Sequence, residues 1–131
     1  MKKILIIDDD DDISAMLYLL LRTKFDVAVI ANSEDIFQKF RSFKPDIIML
    51  DVFLKGYDGR VICKQLKFHP DSKHIPVIMV SGHEEIVDSI SKYGADDFLL
   101  KPFDYDQLIS KIQKLLAPKT ADLSNSALNA C

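Results

Sequence analysis

Short apolar runs and longer amphipathic stretches alternate five times along this chain of 131 residues. Runs of four or five apolar residues predict buried strands, and stretches with apolar positions three and four residues apart predict helices. The predicted strands lie near residues 3–8, 26–31, 46–50, 76–80 and 97–100. This alternation favours a parallel sheet, because neighbouring parallel strands need a crossover connection, which is usually a helix.

Each predicted helix has one apolar face that can pack on the sheet. The first face comprises Ile13, Met16, Leu17, Leu20 and Leu21; the second Ile36, Phe37 and Phe40; the third, within about 58–68, Val61, Ile62 and Leu66; the fourth Ile86, Val87, Ile90 and Tyr93; the fifth Leu108, Ile109, Ile112, Leu115 and Leu116. Ser33 is the expected N-cap of the second helix. Gly94 and Pro118 are expected to end the fourth and fifth helices.

Five strand–helix units predict an α/β, flavodoxin-like doubly wound (βα)5 fold with helices on both faces of the sheet. Because crossovers between parallel strands are nearly always right-handed, we expect the strand order 2-1-3-4-5. One domain should cover residues 1–118. Residues 119–131 are rich in Ser, Ala and Asn without a sustained period, so we expect a flexible tail or a linker stub there.

Composition and charge narrow the class of protein. The chain is 48% hydrophobic and 28% charged, which is typical of a soluble globular domain, and no apolar run approaches the roughly 20 residues that span a membrane. The net charge is −3, and no basic cluster is interleaved with aromatic residues, so we expect no direct nucleic-acid binding. Cys63 and Cys131 lack a metal or redox spacing, which indicates reduced thiols and a cytoplasmic location.

Three of the apolar runs end in charged residues. Asp8 and Asp9 follow the first run, Asp51 the third and Lys101 the fifth. Carboxyl ends of parallel strands share one edge of the sheet, where open α/β folds bind ligands. Carboxylates brought so close repel one another, and a hard divalent cation such as Mg²⁺ is the usual remedy. Lys101 could pair with a phosphoryl oxygen, and Asp51 could act as a nucleophile that forms an acyl phosphate.

Four strings, in this order, resemble the receiver domain of bacterial two-component response regulators. They are Ile-Ile-Asp8-Asp9, Leu-Asp51-Val-Phe-Leu-Lys-Gly-Tyr-Asp58-Gly59, Val-Ile-Met-Val-Ser81-Gly82 and Gly94-Ala-Asp-Asp-Phe98-Leu-Leu-Lys101-Pro102-Phe103. Each string is weak alone, but each also falls at the end of a predicted strand. The resemblance extends from residue 3 to about residue 116.

The resemblance implies a role for each site residue. Asp51 would accept a phosphoryl group from the phosphohistidine of a sensor histidine kinase or phosphotransfer protein. Asp9 and Asp51 would bind Mg²⁺ directly, Asp8 partly through water, and the backbone carbonyl of Phe53 would be a further ligand.

The same resemblance implies a switch. Lys101 and Ser81 would contact the phosphoryl group, and Phe98 would change rotamer as Ser81 moves. Lys101-Pro102 would be a cis peptide. The face formed by the fourth helix, fifth strand and fifth helix would change shape and signal to an unknown protein target. A phosphorylation-dependent dimer through this face is a further option.

The chain departs from the family pattern at Lys55, where family members usually carry proline. We interpret Lys55 as a solvated loop residue. His83 and Phe53 occupy the positions that border the phosphoryl group in this family, so His83 could tune its lifetime. Asp10–Asp12 are interpreted as the capping residues of the first helix. His69 and His74 are interpreted as loop residues rather than zinc ligands.

Three classes of function are compatible with these observations. The first is a stand-alone receiver, and the second is the receiver part of a larger response regulator or hybrid histidine kinase. The third is an enzyme on the same topology, such as a phosphatase or a flavin protein. Against an enzyme, no second acid lies two residues after Asp51, and the first βα loop is acidic where a flavin phosphate needs neutral donors. We expect only Mg²⁺-dependent self-phosphorylation and autodephosphorylation.

Overall fold

The computed structural model describes residues 1–31 and 33–117, apart from the side chain of Ser33. Its strands are β1 (Lys3–Ile7), β2 (Asp26–Ile30), β3 (Ile47–Asp51), β4 (Phe53–Leu54), β5 (Tyr57–Asp58), β6 (Val77–Ser81) and β7 (Asp97–Leu100). Five of them form one parallel sheet in the order β2-β1-β3-β6-β7, and β4 and β5 form a small antiparallel hairpin. The order of the large sheet confirms the predicted doubly wound topology. The predicted tail, with Cys131, lies outside the described residues.

Five α-helices connect the strands. They are α1 (Asp11–Leu21), α2 (Ile36–Phe43), α3 (Gly59–Phe68), α4 (Val87–Ile90) and α5 (Tyr105–Leu116). The fourth predicted helix is shorter than expected, because 3-10 turns at Glu84–Ile86 and Ser91–Tyr93 flank α4. Gly94 ends this segment at φ 87°, a left-handed conformation that glycine adopts without strain. Across the described ranges, every helix is too short to cross a membrane.

Helix caps agree with the sequence at α1 but not at α2. Asp10 caps α1: its Oδ1 accepts hydrogen bonds from the backbone N–H groups of Asp12 and Ile13 at 3.0 and 3.1 Å. The predicted N-cap at Ser33 is wrong, since a 3-10 turn covers Ser33–Asp35 and α2 begins at Ile36, directly after Asp35.

The core has two layers because successive strand residues point to opposite faces of the sheet. Leu5, Ile48 and Leu50 lie in the layer that also contains the buried residues of α2, α3 and α4. Ile6 and Met49 lie in the opposite layer, with the buried residues of α1 and α5. The strands are therefore covered on both faces, which explains their uninterrupted apolar sequence.

Parts of two predicted helix faces are wrong. Met16 and Leu20 on α1 and Val61 on α3 are exposed. Ser14 and Cys63, which the apolar pattern did not select, are buried. Every residue from 15 to 21 is apolar, so periodicity could not single out the face of α1 that packs on the sheet.

Candidate functional site

Three carboxylates meet at the carboxyl edge of the sheet. Asp8 and Asp9 follow β1, and Asp51 is the last residue of β3. The two strands are hydrogen-bonded neighbours, with Ile7 opposite Leu50. One oxygen from each carboxylate lies within 4.8 Å of the other two. The topology therefore brings together residues that are more than 40 positions apart in sequence, as predicted.

A backbone N–H group holds each of these carboxylates. Asp8 Oδ1 accepts a hydrogen bond from the Asp10 N–H at 2.9 Å, and Asp51 Oδ1 accepts one from the Phe53 N–H at 3.2 Å. Asp9 Oδ2 accepts one from the backbone N–H of Lys55. Each side chain is thus oriented through one oxygen, while its other oxygen can take a further ligand.

Lys101 supplies the positive charge of the site. Its Nζ lies 3.3 Å from Asp51 Oδ2 and 3.7 Å from Asp8 Oδ2. The Lys101-Pro102 peptide is cis, as expected. The Lys101 N–H donates to the carbonyl of Ser81 at 2.8 Å, which joins the ends of β7 and β6. Lys101 therefore lies where it could contact a group carried by Asp51.

Burial is the main cause that raises the pKa of Asp51 from its ordinary value of 3.8 to about 6. Lys101 acts in the opposite direction, the negative charge of Asp8 raises the pKa further, and the Phe53 N–H lowers it. The carboxylate form is thus costly in this cluster unless a further cation is present. A set of carboxylate oxygens fits Mg²⁺, which prefers hard oxygen ligands.

Asp8, Asp9 and Asp51 form the one cluster of potential metal ligands among the residues that the structure describes. Within residues 1–31 and 33–117, no other group of three His, Cys, Asp or Glu side chains has the spacing needed for a metal ion. His69 and His74 therefore have no third ligand there. The Phe53 peptide adjoins Asp51 through its N–H, and its carbonyl as a metal ligand stays a prediction.

Ser81 and Phe98 lie at different depths. Ser81 ends β6 at the same edge as Asp51, is 2% exposed, and its Oγ accepts a hydrogen bond from the His83 N–H at 3.0 Å. Phe98 lies within β7, is half-buried, and packs against the core cluster that contains Ile90 of α4. Their predicted roles, in phosphoryl binding and in switching, remain predictions.

Two features of the site rim were missed at the level of the sequence. The rings of Phe53 and His83 meet edge to face with centroids 4.7 Å apart. The family resemblance placed both residues beside the phosphoryl group, but it did not predict that their rings touch. The Lys55 side chain is exposed, as interpreted, but its backbone N–H binds Asp9. Proline at this position would lack that donor.

These features define a general class: a doubly wound α/β protein with an acidic cluster and a lysine at the carboxyl edge of its sheet, a site suited to a divalent cation and a phosphoryl group. Comparison with known families then makes the assignment specific. The chain belongs to the response regulator receiver domain family, whose family model matches residues 4–113.

Curated relatives agree with this assignment. The chain is 34% identical over 119 residues to the sensory transduction protein BceR of Halalkalibacterium halodurans, covering 88% of the chain and 50% of that protein. It is 35% identical over 118 residues to the alkaline phosphatase synthesis transcriptional regulatory protein PhoP of Bacillus subtilis, covering 88% of the chain and 48% of that protein. The chain thus spans about half the length of these relatives.

Solved structures show the same fold. The signal receiver domain of a DNA-binding response regulator from Colwellia psychrerythraea superposes with a TM-score of 0.82 at 30% identity, over 90% of this chain and 100% of that chain. The receiver domain of a signal transduction histidine kinase from Syntrophus aciditrophicus gives a TM-score of 0.81 at 30% identity, over 89% and 91% of the two chains.

Proposed function

We propose that the protein is the phosphoacceptor of a two-component phosphorelay in the cytoplasm. It would take a phosphoryl group from the phosphohistidine of a sensor histidine kinase or phosphotransfer protein onto Asp51. The observation that carries this proposal is the geometry around Asp51, where three carboxylates cluster within 4.8 Å and the Lys101 ammonium lies 3.3 Å from Asp51 Oδ2.

The chemistry is a displacement at phosphorus. A carboxylate oxygen of Asp51 attacks the phosphorus in line with the leaving imidazole, a P–O bond forms, and the P–N bond breaks with its electron pair returning to the imidazole nitrogen. Lys101 pairs with a phosphoryl oxygen, and the Ser81 hydroxyl hydrogen-bonds a second one. The protein mainly positions the groups and balances charge.

Asp8, Asp9, Asp51 and the Phe53 carbonyl would hold Mg²⁺. When bound, Mg²⁺ neutralises charge on the carboxylates and on the phosphoryl oxygens. Asp8 and Asp51 are buried, so their oxygens are preorganised rather than freely solvated. The hydrogen bond from the Lys55 N–H orients Asp9.

The output is a change of surface rather than turnover of a substrate. Phosphorylation of Asp51 would draw Ser81 inward and alter the rotamer of Phe98, which packs against the core cluster that contains Ile90. This shift biases a two-state equilibrium of the face formed by α4, β7 and α5, and a protein partner reads the difference. We expect no turnover of a general phosphate ester such as p-nitrophenyl phosphate.

A second candidate is the receiver part of a larger regulator or hybrid kinase. The length comparison favours it, because curated relatives are about twice as long, and several are named as DNA-binding response regulators. Sequencing the reading frame beyond the codon for Cys131 decides between the two. A stop codon supports a stand-alone receiver, and a continuing frame supports the larger regulator.

Intact mass after incubation with acetyl phosphate and Mg²⁺ tests the proposal. We expect one phosphoryl adduct on the wild type and none on Asp51→Asn. Asp12→Asn is the matched control, because it removes an exposed carboxylate close to the site that is outside the cluster, and it should retain the adduct. An equal adduct on Asp51→Asn, or steady turnover of p-nitrophenyl phosphate, would contradict the proposal.

A further inference from the structure

Arg60, near the start of α3, contacts three separate parts of the structure. Its Nε and Nη2 donate to the carboxylate of Asp58 in the hairpin, with the Nη2–Oδ2 distance 2.8 Å. Its Nη1 donates to the Oγ of Ser89 in α4 at 2.9 Å. Its guanidinium carbon lies 5.5 Å from the ring centroid of Tyr93, in the turn after α4. One side chain therefore joins the hairpin to two residues, Ser89 and Tyr93, of the α4 segment, residues 84–93.

The hairpin end of this connection is fixed close to Asp51. The Gly59 N–H donates to the carbonyl of Val52 at 2.7 Å. A Cβ atom at Gly59 would overlap the backbone carbonyl of Asp51, so the two backbones are in direct contact. Asp58 also caps α3 by accepting from the Arg60 N–H at 2.9 Å. A movement of the backbone after Asp51 would therefore also displace Asp58.

The α4 end is held by few other contacts. Ser89 Oγ accepts from Arg60 and donates to the carbonyl of Ile86 at 2.7 Å. Ile90 is the one buried side chain among residues 84–93, all of which the structure describes. Besides Ile90, the half-buried Ile86 packs on the same core cluster, so apolar burial of this segment is limited and its polar contacts with Arg60 add to it.

Arginine suits this position because its planar fork can bind Asp58 on one side and Ser89 on the other. The hydrogen bond from Arg60 is the main cause that lowers the pKa of Asp58, and the same pairing raises the pKa of Arg60. The pair therefore stays charged across the physiological range. The motif around Asp51 that carries the family resemblance ends at Gly59, so Arg60 lies outside it.

We propose that Arg60 is a positioning residue that couples the loop after Asp51 to α4. A displacement that begins at Asp51 would reach α4 along the linkage Asp58–Arg60–Ser89, in parallel with the movement of Ser81. This inference rests on the proposed function, since it concerns how phosphorylation is transmitted.

The first experiment measures hydrogen exchange of residues 84–93 without a phosphoryl analogue. We expect Arg60→Ala to raise exchange about fivefold, because α4 loses its link to the hairpin. Arg60→Lys should raise exchange as well, because an ammonium cannot span Asp58 and Ser89 together. Lys64→Ala, which removes an exposed charge one turn later on α3, should leave exchange unchanged. Equal exchange in Arg60→Ala and wild type would overturn the proposal.

The second experiment follows amide NMR shifts on adding Mg²⁺ and beryllofluoride, a phosphoryl mimic. In Arg60→Ala, we expect shifts at Ser81 and Lys101 to persist while those of residues 87–93 fall to about half or less. A purely structural role would not separate the two sets. Ser89→Ala cuts the same link with a small neutral change, and it should give the same separation even if Arg60→Ala folds poorly. A full α4 response in both variants would overturn the coupling.

The two proposals fail in different ways. If wild-type protein shows no shift near Asp51 with beryllofluoride, the proposed function fails, and the exchange experiment still decides whether Arg60 holds α4. If wild type responds at both regions and the variants respond equally, the proposed function stands and the role of Arg60 is wrong.

Discussion

Strand β3 and the segment 84–93, which the proposed function assigns to phosphoryl acceptance and to the response, are packed very differently. All five residues of β3 are buried, and the strand has a hydrogen-bonded neighbour on each side. In the segment 84–93, Ile90 alone is buried, and a four-residue helix lies between two 3-10 turns. Asp51, the proposed acceptor, ends the buried strand, and the proposed response lies in the less buried segment.

The difference indicates how one small domain can combine a fixed site with a mobile surface. Phosphoryl chemistry needs groups held in place, which a buried central strand provides. A change of surface needs a region whose alternative arrangements differ little in free energy, and weak burial provides this. The contrast in packing therefore fits the proposed division between Asp51 as acceptor and the segment 84–93 as reader.

The largest expected difference is in the free energy of unfolding, when isoleucine is replaced by alanine in each of the two regions. Ile48→Ala in β3 should lower the free energy of unfolding by about 3–5 kcal/mol, because it leaves a cavity in a closed core. Ile86→Ala should cost about 1 kcal/mol, because that side chain is half-buried. Urea denaturation followed by circular dichroism gives both values. Equal costs would mean that the two regions are packed alike.

Replacing two glycines by alanine tests how tightly the backbone is packed beside each region. Gly59→Ala should cost about 3 kcal/mol, because its Cβ would overlap the Asp51 carbonyl, which a strand cannot readily move. Gly82→Ala should cost less than about 1 kcal/mol, since its Cβ would lie 3.9 Å from the Lys101 side chain. Thermal unfolding under one buffer condition compares them. A mild Gly59→Ala would show that the acceptor loop is less rigid than the contact indicates.

The sequence predicted the regular part of the molecule because strong, independent signals agreed there. Apolar runs located the sheet strands, and the right-handed crossover rule gave their order. Once β1 and β3 are neighbours, the residues at their ends must meet, so strand order alone is enough to bring Asp8 and Asp51 together.

The sequence predicted the structure less well where contacts between distant residues determine the local conformation. The apolar positions Ile86, Val87, Ile90 and Tyr93 predict one helix, but a short α-helix flanked by two 3-10 turns is found there. The contact of Arg60 with Ser89 spans 29 positions and has no periodic signature. The ring pair of Phe53 and His83 is similar in this respect. Such contacts depend on how loops meet in space, which local propensity does not encode.

Asp51→Asn should stabilise the metal-free protein at neutral pH by about 3 kcal/mol. Burial raises the pKa of Asp51 from 3.8 to about 6, so between these pH values the folded protein holds a proton that the unfolded chain has lost. The free energy of unfolding of the wild type therefore falls as the pH rises from about 4 to 6. Above about pH 6 the full cost of the buried charge is present. Asparagine carries no charge and avoids this penalty.

Urea unfolding with a chelator at pH 4 and pH 7.5 checks this pH dependence, with Asp12→Asn as the exposed control. The advantage of Asp51→Asn should be largest at the higher pH, shrink toward zero near the lower one, and diminish when Mg²⁺ is added. A constant advantage at both pH values would show that the charge of Asp51 is not its cause.

The smallest expected effect concerns the point where the two regions touch. His83 follows β6 and leads into the segment 84–93, while Phe53 follows β3, and their rings meet at the rim of the site. Removing one ring should open a path for water, so we expect His83→Ala to shorten the half-life of the phosphorylated protein about two- to fivefold. The decay of the phosphoryl adduct, followed by intact mass, measures it.

Glu85→Gln is the matched control for this effect. It keeps both rings but removes the carboxylate 3.2 Å from His83 Nδ1, so it should leave the half-life nearly unchanged. An equal shortening in Glu85→Gln would assign the effect to charge rather than to the ring contact. An unchanged half-life in His83→Ala would mean that the rim of the site does not control water, and that acceptor and reader communicate without this aromatic contact.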